Sequence, residues 1–131
     1  MKYLLDVNAL VALGHSSHIH HIRATSWFAA VKPTATAMCT CAITELGFVR
    51  VAVRTGLQLD VPTARKALAA LKASSPIPFE MISDGLGADK LPGFARTPNK
   101  LTDGHLFELA KLNGTQLATL DTGIPGALLL P

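Results

Sequence analysis

Three short strand-like segments of this chain stop at, or lead into, an acidic residue, and this arrangement constrains the fold more than any other feature of the sequence. The segments and their acids are Tyr3–Leu5 before Asp6, Thr36–Ala42 before Glu45, and Gln116–Leu120 before Asp121. Between these segments, the apolar residues follow helical spacing. Strands that alternate with helices are typical of a parallel sheet that helices cover on both faces. The sequence therefore predicts an α/β fold in a single domain over residues 1–131.

The remaining elements follow from apolar spacing, capping residues and helix-stopping glycines or prolines. The predicted helices are Asn8–Leu13, His18–Val31 with Ile19 and Ile22 among its apolar positions, a helix opened by Thr44 and Glu45 and ended by Gly56, a helix with Pro62 in its first turn, and a helix from the N-cap Thr102 to Leu112. Two further strands are predicted over Ile77–Ile82 and Ala127–Leu130.

Two segments carry more specific expectations. In the helix after Glu45, the apolar positions Leu46, Val49 and Val53 are expected to form a buried face. The glycine- and proline-rich segment from Ser83 to Lys100 is predicted as a long loop, and such loops in compact domains are commonly functional or mobile.

Composition narrows the class of protein. Of the residues, 49% are hydrophobic and 16% are charged, which suggests that a second copy or another chain covers some apolar surface. No apolar run approaches the roughly 18 to 20 residues that cross a bilayer. Asp6 and Asn8 interrupt the apolar start of the chain, so a signal peptide is not predicted and we expect a cytoplasmic protein. Cys39 and Cys41 are expected to be buried thiols of a reducing compartment.

The acidic residues predict a particular chemistry. The carboxyl ends of parallel strands meet at one edge of a sheet, so Asp6, Glu45 and Asp121 are expected to lie there together. Such carboxylates repel one another unless a cation lies between them, and oxygen ligands without histidine or thiolate favour Mg²⁺, with Mn²⁺ as a substitute. A magnesium site of this kind suits hydrolysis of a phosphodiester. Taken singly, each acid also fits a helix cap or a favourable charge in a first helical turn.

Four sequence motifs give the chain a resemblance to a known family. They are Leu4–Asn8, Thr44–Leu46, Lys100–Leu106 and Leu117–Asp121, and their order and separations span almost the whole chain. In these motifs the chain resembles the PIN-domain nucleases, and among them the VapC-type toxins of bacterial toxin–antitoxin pairs. The turn after the last motif departs from the family pattern, because Asp121–Gly126 contains two glycines and no aromatic residue. The resemblance therefore leaves the number of bound metal ions open.

The resemblance implies a three-layer α/β/α sandwich with a central parallel sheet, and a magnesium-dependent ribonuclease that acts on tRNA or rRNA. It implies that Asp6, Glu45, Asp103 and Asp121 are the catalytic metal ligands. Asn8 would support Asp6, and Thr119 would do the same near Asp121. It also implies a cognate antitoxin as a partner, and a homodimer.

Other candidate residues carry weaker expectations. Arg96 and Lys100 flank the long loop, where they could grip a phosphate of RNA, and Arg50 and Arg54 could contact either RNA or an antitoxin. Two further groups are expected to pack or to face solvent: the histidines His15, His18, His20 and His21, and the aromatic pair Trp27 and Phe28 in the core or a dimer interface.

Two other functions compete with the ribonuclease. One is a PIN-like module that binds RNA or protein without catalysis, although a pure scaffold has no reason to collect four acids. The other is a phosphatase or phosphoacceptor domain on a related α/β fold. A phosphatase of the haloacid-dehalogenase type would need a second aspartate in place of Asn8, and a response-regulator receiver would need an acidic pair near the start of the chain.

Overall fold

The computed structural model describes the whole chain, from Met1 to Pro131. In chain order the strands and helices are β1 (Lys2–Leu5), α1 (Val7–Gly14), α2 (His21–Val31), β2 (Ala37–Thr40), α3 (Ala42–Arg54), α4 (Val61–Ser74), β3 (Phe79–Met81), α5 (Leu101–Leu112), β4 (Gln116–Thr119) and β5 (Leu128–Leu129). Single turns of 3₁₀ helix lie at Ala88–Lys90 and Pro98–Lys100. No helix combines the length and the apolar character that a membrane span requires.

The five strands form one sheet in the order β3-β2-β1-β4-β5, and every pair is parallel. β1 lies in the middle, with Leu4 beside Cys39 of β2 and Leu117 of β4. From β1 the chain proceeds outward through β2 and β3 on one side, and through β4 and β5 on the other. The order therefore reverses between β1 and β4, which is where open α/β sheets form a crevice at the carboxyl ends of their strands.

Two hydrophobic cores lie on opposite faces of this sheet. Side chains of β1 point alternately to the two faces, so Tyr3 and Leu5 join the larger core while Leu4 joins the smaller one. The larger core packs the sheet against helices on the α1–α4 side, and the smaller packs it against α5. This arrangement confirms the predicted α/β/α sandwich with its parallel sheet.

The aromatic pair and the two thiols predicted for the core lie in or against it. Trp27 is buried in the larger core and meets the Tyr3 ring edge-on, with ring centroids 5.2 Å apart. Phe28 packs against the same core, and the free thiols Cys39 and Cys41 are buried in the smaller one.

Several predicted boundaries were wrong. α2 begins at His21 and not at His18, because the residues before it form hydrogen-bonded turns, and Ile19 and Ile22 remain 88% and 78% exposed. α5 begins at Leu101, so Thr102 is not its N-cap. Pro98 accounts for this early start, because its ring fixes a helical φ and begins the 3₁₀ turn that runs directly into α5.

The helix that carries Glu45 differs from its prediction in two ways. α3 begins at Ala42, and Thr44 lies inside its first turn, where the Thr44 hydroxyl accepts a hydrogen bond from the Cys41 N–H at 2.9 Å. Leu46 was predicted to be buried but is 64% exposed. The apolar face predicted for α3 faces α4. These two helices leave a groove between them that the rest of the chain does not fill.

The long loop from Ser83 to Lys100 follows a defined path over α5. The backbone at Gly104 lies so close to the loop that a Cβ atom there would be 2.7 Å from the Ala95 Cβ and 3.1 Å from the Pro92 Cδ. Phe94 of the loop packs edge-on against Phe107, with ring centroids 5.7 Å apart. The loop is therefore a wall beside the first turns of α5.

Candidate active site

Asp6 occupies the crevice at the centre of the sheet. It follows β1, caps the N-terminus of α1, and is 6% exposed. Its Oδ1 accepts the Val7 N–H at 2.7 Å, and its Oδ2 accepts the Thr119 hydroxyl at 2.7 Å. Burial raises the pKa of Asp6, the two hydrogen bonds oppose that rise, and the charge of Asp121 adds to it. The carboxylate is thus held firmly by neutral donors, with no basic side chain bonded to it.

Thr119 connects two of the acids. It is the last residue of β4 and is fully buried. While its hydroxyl donates to Asp6, the same oxygen accepts the backbone N–H of Asp121 at 2.9 Å. Asp121 in turn accepts the N–H of Gly123 on its Oδ1 at 2.7 Å, which closes a tight turn. One hydroxyl therefore fixes the spacing of Asp6 and Asp121.

Asp103 belongs to the same group of charges, although no strand carries it. It lies in the first turn of α5, where the helix dipole favours a negative charge. Its pKa is raised first by burial and then by the charges of Asp6 and Asp121, while the charge of Lys100 opposes the rise. The carboxylates of Asp6, Asp103 and Asp121 thus repel one another across the crevice.

Glu45 has a different environment. Its Oε2 accepts both the Thr40 hydroxyl at 2.5 Å and the Lys72 ammonium at 2.7 Å. Lys72 lies on α4, and no sequence pattern indicated this ion pair because its two residues are far apart along the chain. The fourth predicted acid is therefore neutralised inside the protein, on the side of the site that faces α4.

The support that the family resemblance implies for Asp6 comes from Thr119 and not from Asn8. Asn8 is exposed in the first turn of α1, and no hydrogen bond joins it to Asp6. The hydrogen bonds that Asp6 accepts come instead from the Val7 N–H on one oxygen and the Thr119 hydroxyl on the other.

The donor set fits a hydrated magnesium ion. No three histidine, cysteine, aspartate or glutamate side chains lie close enough together to enclose a metal ion by themselves. Mg²⁺ commonly keeps several water ligands and binds through one or two carboxylates, so it does not need such a cage. The crevice offers only oxygen ligands, and burial together with repulsion between neighbouring acids raises the pKa values of Asp6 and Asp103, a penalty that a divalent cation would relieve.

The predicted basic residues lie in different places. Arg50 and Arg54 line a groove of about 600 Å³ between α3 and α4, together with Arg65 and Lys72. Its apolar floor includes the exposed side chains of Leu46 and Val61. Arg96 donates from its Nε to the Gly93 carbonyl at 3.1 Å, and Lys100 reaches the acidic crevice.

The histidine cluster has packing contacts. His15 is buried and stacks on Phe48, with ring centroids 5.1 Å apart. Its Nδ1 hydrogen-bonds the Val11 carbonyl at 2.8 Å, and the His21 Nδ1 hydrogen-bonds the Ala12 carbonyl at 2.8 Å. Because a carbonyl only accepts, both Nδ1 atoms carry the proton, and these rings fasten the turn between α1 and α2.

One pair near the site was missed by sequence reasoning. Asp84, just beyond β3, bonds through its Oδ2 to the Nε2 of His105 on α5 at 2.5 Å. Only the motif that contains Asp103 could have drawn attention to His105, and nothing in the sequence pointed to Asp84. The pair fastens the beginning of the long loop to the helix that carries Asp103.

Comparison with known proteins identifies the family of the chain. The sequence matches the family model of the PIN domain over residues 3–126. Ribonuclease VapC38 of Mycobacterium tuberculosis is 40% identical over 124 residues, which cover 92% of this chain and 86% of that protein. Ribonuclease VapC29 of the same species is 33% identical over 124 residues, which cover 95% and 89%. The chain therefore belongs to the PIN-domain family and, within it, to the VapC proteins, as its four motifs indicate.

Solved structures show the same fold. Mycobacterium tuberculosis VapC20, described as a Sarcin-Ricin loop cleaving toxin, has a TM-score of 0.58 at 17% identity and covers 90% of this chain and 87% of its own. VapBC2 from Rickettsia felis, bound to a DNA fragment from their promoter, has a TM-score of 0.66 at 14% identity and covers 98% and 97%. At these identities the likeness concerns the fold alone.

Proposed function

We propose that this protein is a magnesium-dependent endoribonuclease that acts as the toxin of a toxin–antitoxin pair. The observation that carries the proposal is the crevice where Thr119 links Asp6 to Asp121 and where Asp103 shares their electrostatic field. The relatives named ribonucleases support the reaction class. We infer a tRNA or rRNA target, consistent with the description of VapC20, and such a target implies a cytoplasmic location.

In this proposal Asp6, Asp103 and Asp121 would hold one or two Mg²⁺ ions, with Mn²⁺ as a substitute. When bound, the cation would lower the pKa of a water molecule and neutralise charge on the scissile phosphate. Thr119 keeps the carboxylates of Asp6 and Asp121 in register. Glu45 completes the catalytic set from the α4 side, where its Oε2 is held by Thr40 and Lys72 and its Oε1 has no hydrogen-bond partner in the chain.

The partner of such a toxin would be a cognate antitoxin, and we propose the groove between α3 and α4 as the surface that it covers. Exposed apolar side chains at Leu46 and Val61 lie beside the basic side chains of Arg50, Arg54 and Arg65. This surface would suit a peptide that carries both apolar and acidic residues. The homodimer stays a prediction that rests on the family resemblance and the apolar composition.

The proposal is tested by incubating purified protein with total RNA in Mg²⁺ or in a chelator, beside Asp6→Asn and Asp103→Asn. Loss of a partner behind a metal ligand already costs about 10- to 100-fold, so loss of a ligand should cost at least about 100-fold. Asp89→Asn is the matched control, because Asp89 is exposed on the long loop. Its cleavage rate should equal that of the unchanged protein.

Two results would count against a metal-dependent nuclease. Cleavage that survives chelation would exclude the metal, and cleavage that survives both substitutions would exclude the acids. A folded protein that binds RNA without cutting it under any condition would favour the non-catalytic module.

A further inference from the structure

Lys100 reaches over the acidic crevice from the end of the long loop. Its Nζ donates to the Gly123 carbonyl at 2.9 Å and lies 3.8 Å from Oδ2 of Asp103. Both side chains are largely covered, with 29% of Lys100 and 18% of Asp103 exposed. The ammonium therefore lies between the first turn of α5 and the turn that follows Asp121.

Gly123 makes room for this ammonium. A Cβ atom at this position would lie 2.6 Å from the Lys100 Nζ and 3.2 Å from Oδ1 of Asp121. The backbone of Gly123 is outside the positive-φ region, so its conformation does not require glycine. A Cβ atom would instead displace the movable end of Lys100, and this gives a physical reason for the glycine in the turn where the chain departs from the family pattern.

We propose that Lys100 is a built-in counter-ion of the acidic crevice, which offsets the charge of Asp103 without metal and competes with the divalent cation for this carboxylate. The inference rests on the proposed metal site. A positive charge this close to a carboxylate lowers its affinity for a second cation, since the two cations repel each other at short range. Lys100 thus sets the Mg²⁺ concentration at which the site fills, and Gly123 leaves the space that the ammonium occupies.

Lys72 and Lys100 differ in how each meets its carboxylate. Lys72 binds Glu45 directly at 2.7 Å, whereas Lys100 lies 3.8 Å from Asp103 and donates its hydrogen bond to a backbone carbonyl. A long, flexible side chain that is tied by a carbonyl can move aside when a cation arrives, and Asp103 then keeps its helix-dipole stabilisation.

The test measures Mg²⁺ affinity by calorimetric titration and melting temperature in the metal-free protein. Lys100→Met removes the charge and keeps the apolar stem. Gly123→Ala keeps the charge but fills the space that the ammonium occupies. This variant should fold because the main clash is with the movable end of Lys100. Lys90→Met is the matched control, since Lys90 is 65% exposed on the same loop.

Lys100→Met should bind Mg²⁺ about tenfold more tightly, comparable to one pKa unit of charge interaction, and should melt at a lower temperature without metal. Gly123→Ala should shift both quantities in the same direction but less, and Lys90→Met should change neither. Unchanged Mg²⁺ affinity in Lys100→Met and Gly123→Ala, with binding abolished in Asp103→Asn, would overturn the role of Lys100 and leave the metal site standing. Undiminished binding in Asp103→Asn would instead overturn the metal site, and the competition with it.

Discussion

Asp6 and Glu45 were both predicted at the carboxyl edge of the sheet, yet the fold treats them in opposite ways. Asp6 is nearly inaccessible and is bonded only by a backbone N–H and a hydroxyl. Glu45 is bonded by a hydroxyl and an ammonium. No cationic side chain is bonded to Asp6, and neighbouring acids repel its charge. The charge of Glu45 is instead balanced by Lys72. The difference favours Asp6 over Glu45 as a ligand of the proposed cation.

The largest difference between the two sides is expected for the two threonines that donate to these acids. Thr119 and Thr40 are both buried and end the strands β4 and β2. Thr119→Val removes the hydroxyl that connects Asp6 to Asp121, so RNA cleavage should fall about 10- to 100-fold, as for other partners behind metal ligands. Thr40→Val is the matched variant and should cost much less, because Lys72 still holds Glu45. Equal losses in the two variants would show that the two acids have equivalent roles.

Substitution of the two acids should change the stability of the protein in opposite directions. Asp6→Asn should raise the melting temperature at neutral pH, because an ionised carboxyl no longer has to be buried among other acids. Glu45→Gln should lower the stability by about 0.5 to 1 kcal/mol, because Lys72 loses its charged partner. Thermal unfolding of both variants without Mg²⁺ checks this, and a lower melting temperature in metal-free Asp6→Asn would contradict the raised pKa.

The stability gain in Asp6→Asn should depend on pH. The pKa of Asp6 is raised in the folded state, so the folded wild-type chain binds more protons than the unfolded chain between the ordinary and the raised pKa values. The stability contribution of Asp6 therefore falls as the pH rises through that interval. The advantage of Asp6→Asn should be absent below about pH 4, near the ordinary pKa of an aspartate, and should open as the pH increases. An advantage that is constant with pH would assign the gain to packing.

A loss of stability is also expected where the long loop packs on α5, the helix that carries Asp103. Gly104→Ala should cost about 1 to 3 kcal/mol, because the new Cβ would press on Ala95 and Pro92. Gly93→Ala in the same loop should be nearly neutral, since no atom lies within 4 Å of its added Cβ. Equal stability of the two variants would mean that the loop does not rest on α5.

The smallest effect is expected in the groove on the Glu45 side. Arg50 and Arg54 line that groove, away from the crevice that holds Asp6, so Arg50→Ala and Arg54→Ala should leave the RNA cleavage rate within about twofold. A loss as large as that of Thr119→Val would make the groove part of the RNA-binding surface and would leave no functional difference between the two sides.

Much of the fold follows from local pattern. The parallel sheet and the strand-end positions of Asp6 and Asp121 could be predicted, because strand length and helical spacing are properties of short windows. Asp103 could not be placed by strand position, because a helix carries it, and only its motif indicated its role. In the structure, burial and then the charges of Asp6 and Asp121 raise its pKa.

The contacts that decide the electrostatics could not be predicted. Lys72 meets Glu45, and Lys100 meets the Gly123 carbonyl, across 27 and 23 residues of sequence. No local period links such pairs, and only the packing of α3 on α4 or of the loop on the last turn brings them together. The exposure of Leu46 escaped prediction for the same reason, since apolar spacing indicates a face but not whether this chain covers it.

The most direct test of the central claim is the melting temperature of the purified chain with and without Mg²⁺, beside Asp103→Asn. A ligand that binds only the folded state at 100 times its dissociation constant adds about 2.7 kcal/mol of stability. Saturating Mg²⁺ should raise the melting temperature of the unchanged protein and should not raise that of Asp103→Asn. The same rise in both proteins, or no rise in either, would contradict the assignment of the crevice as the magnesium site.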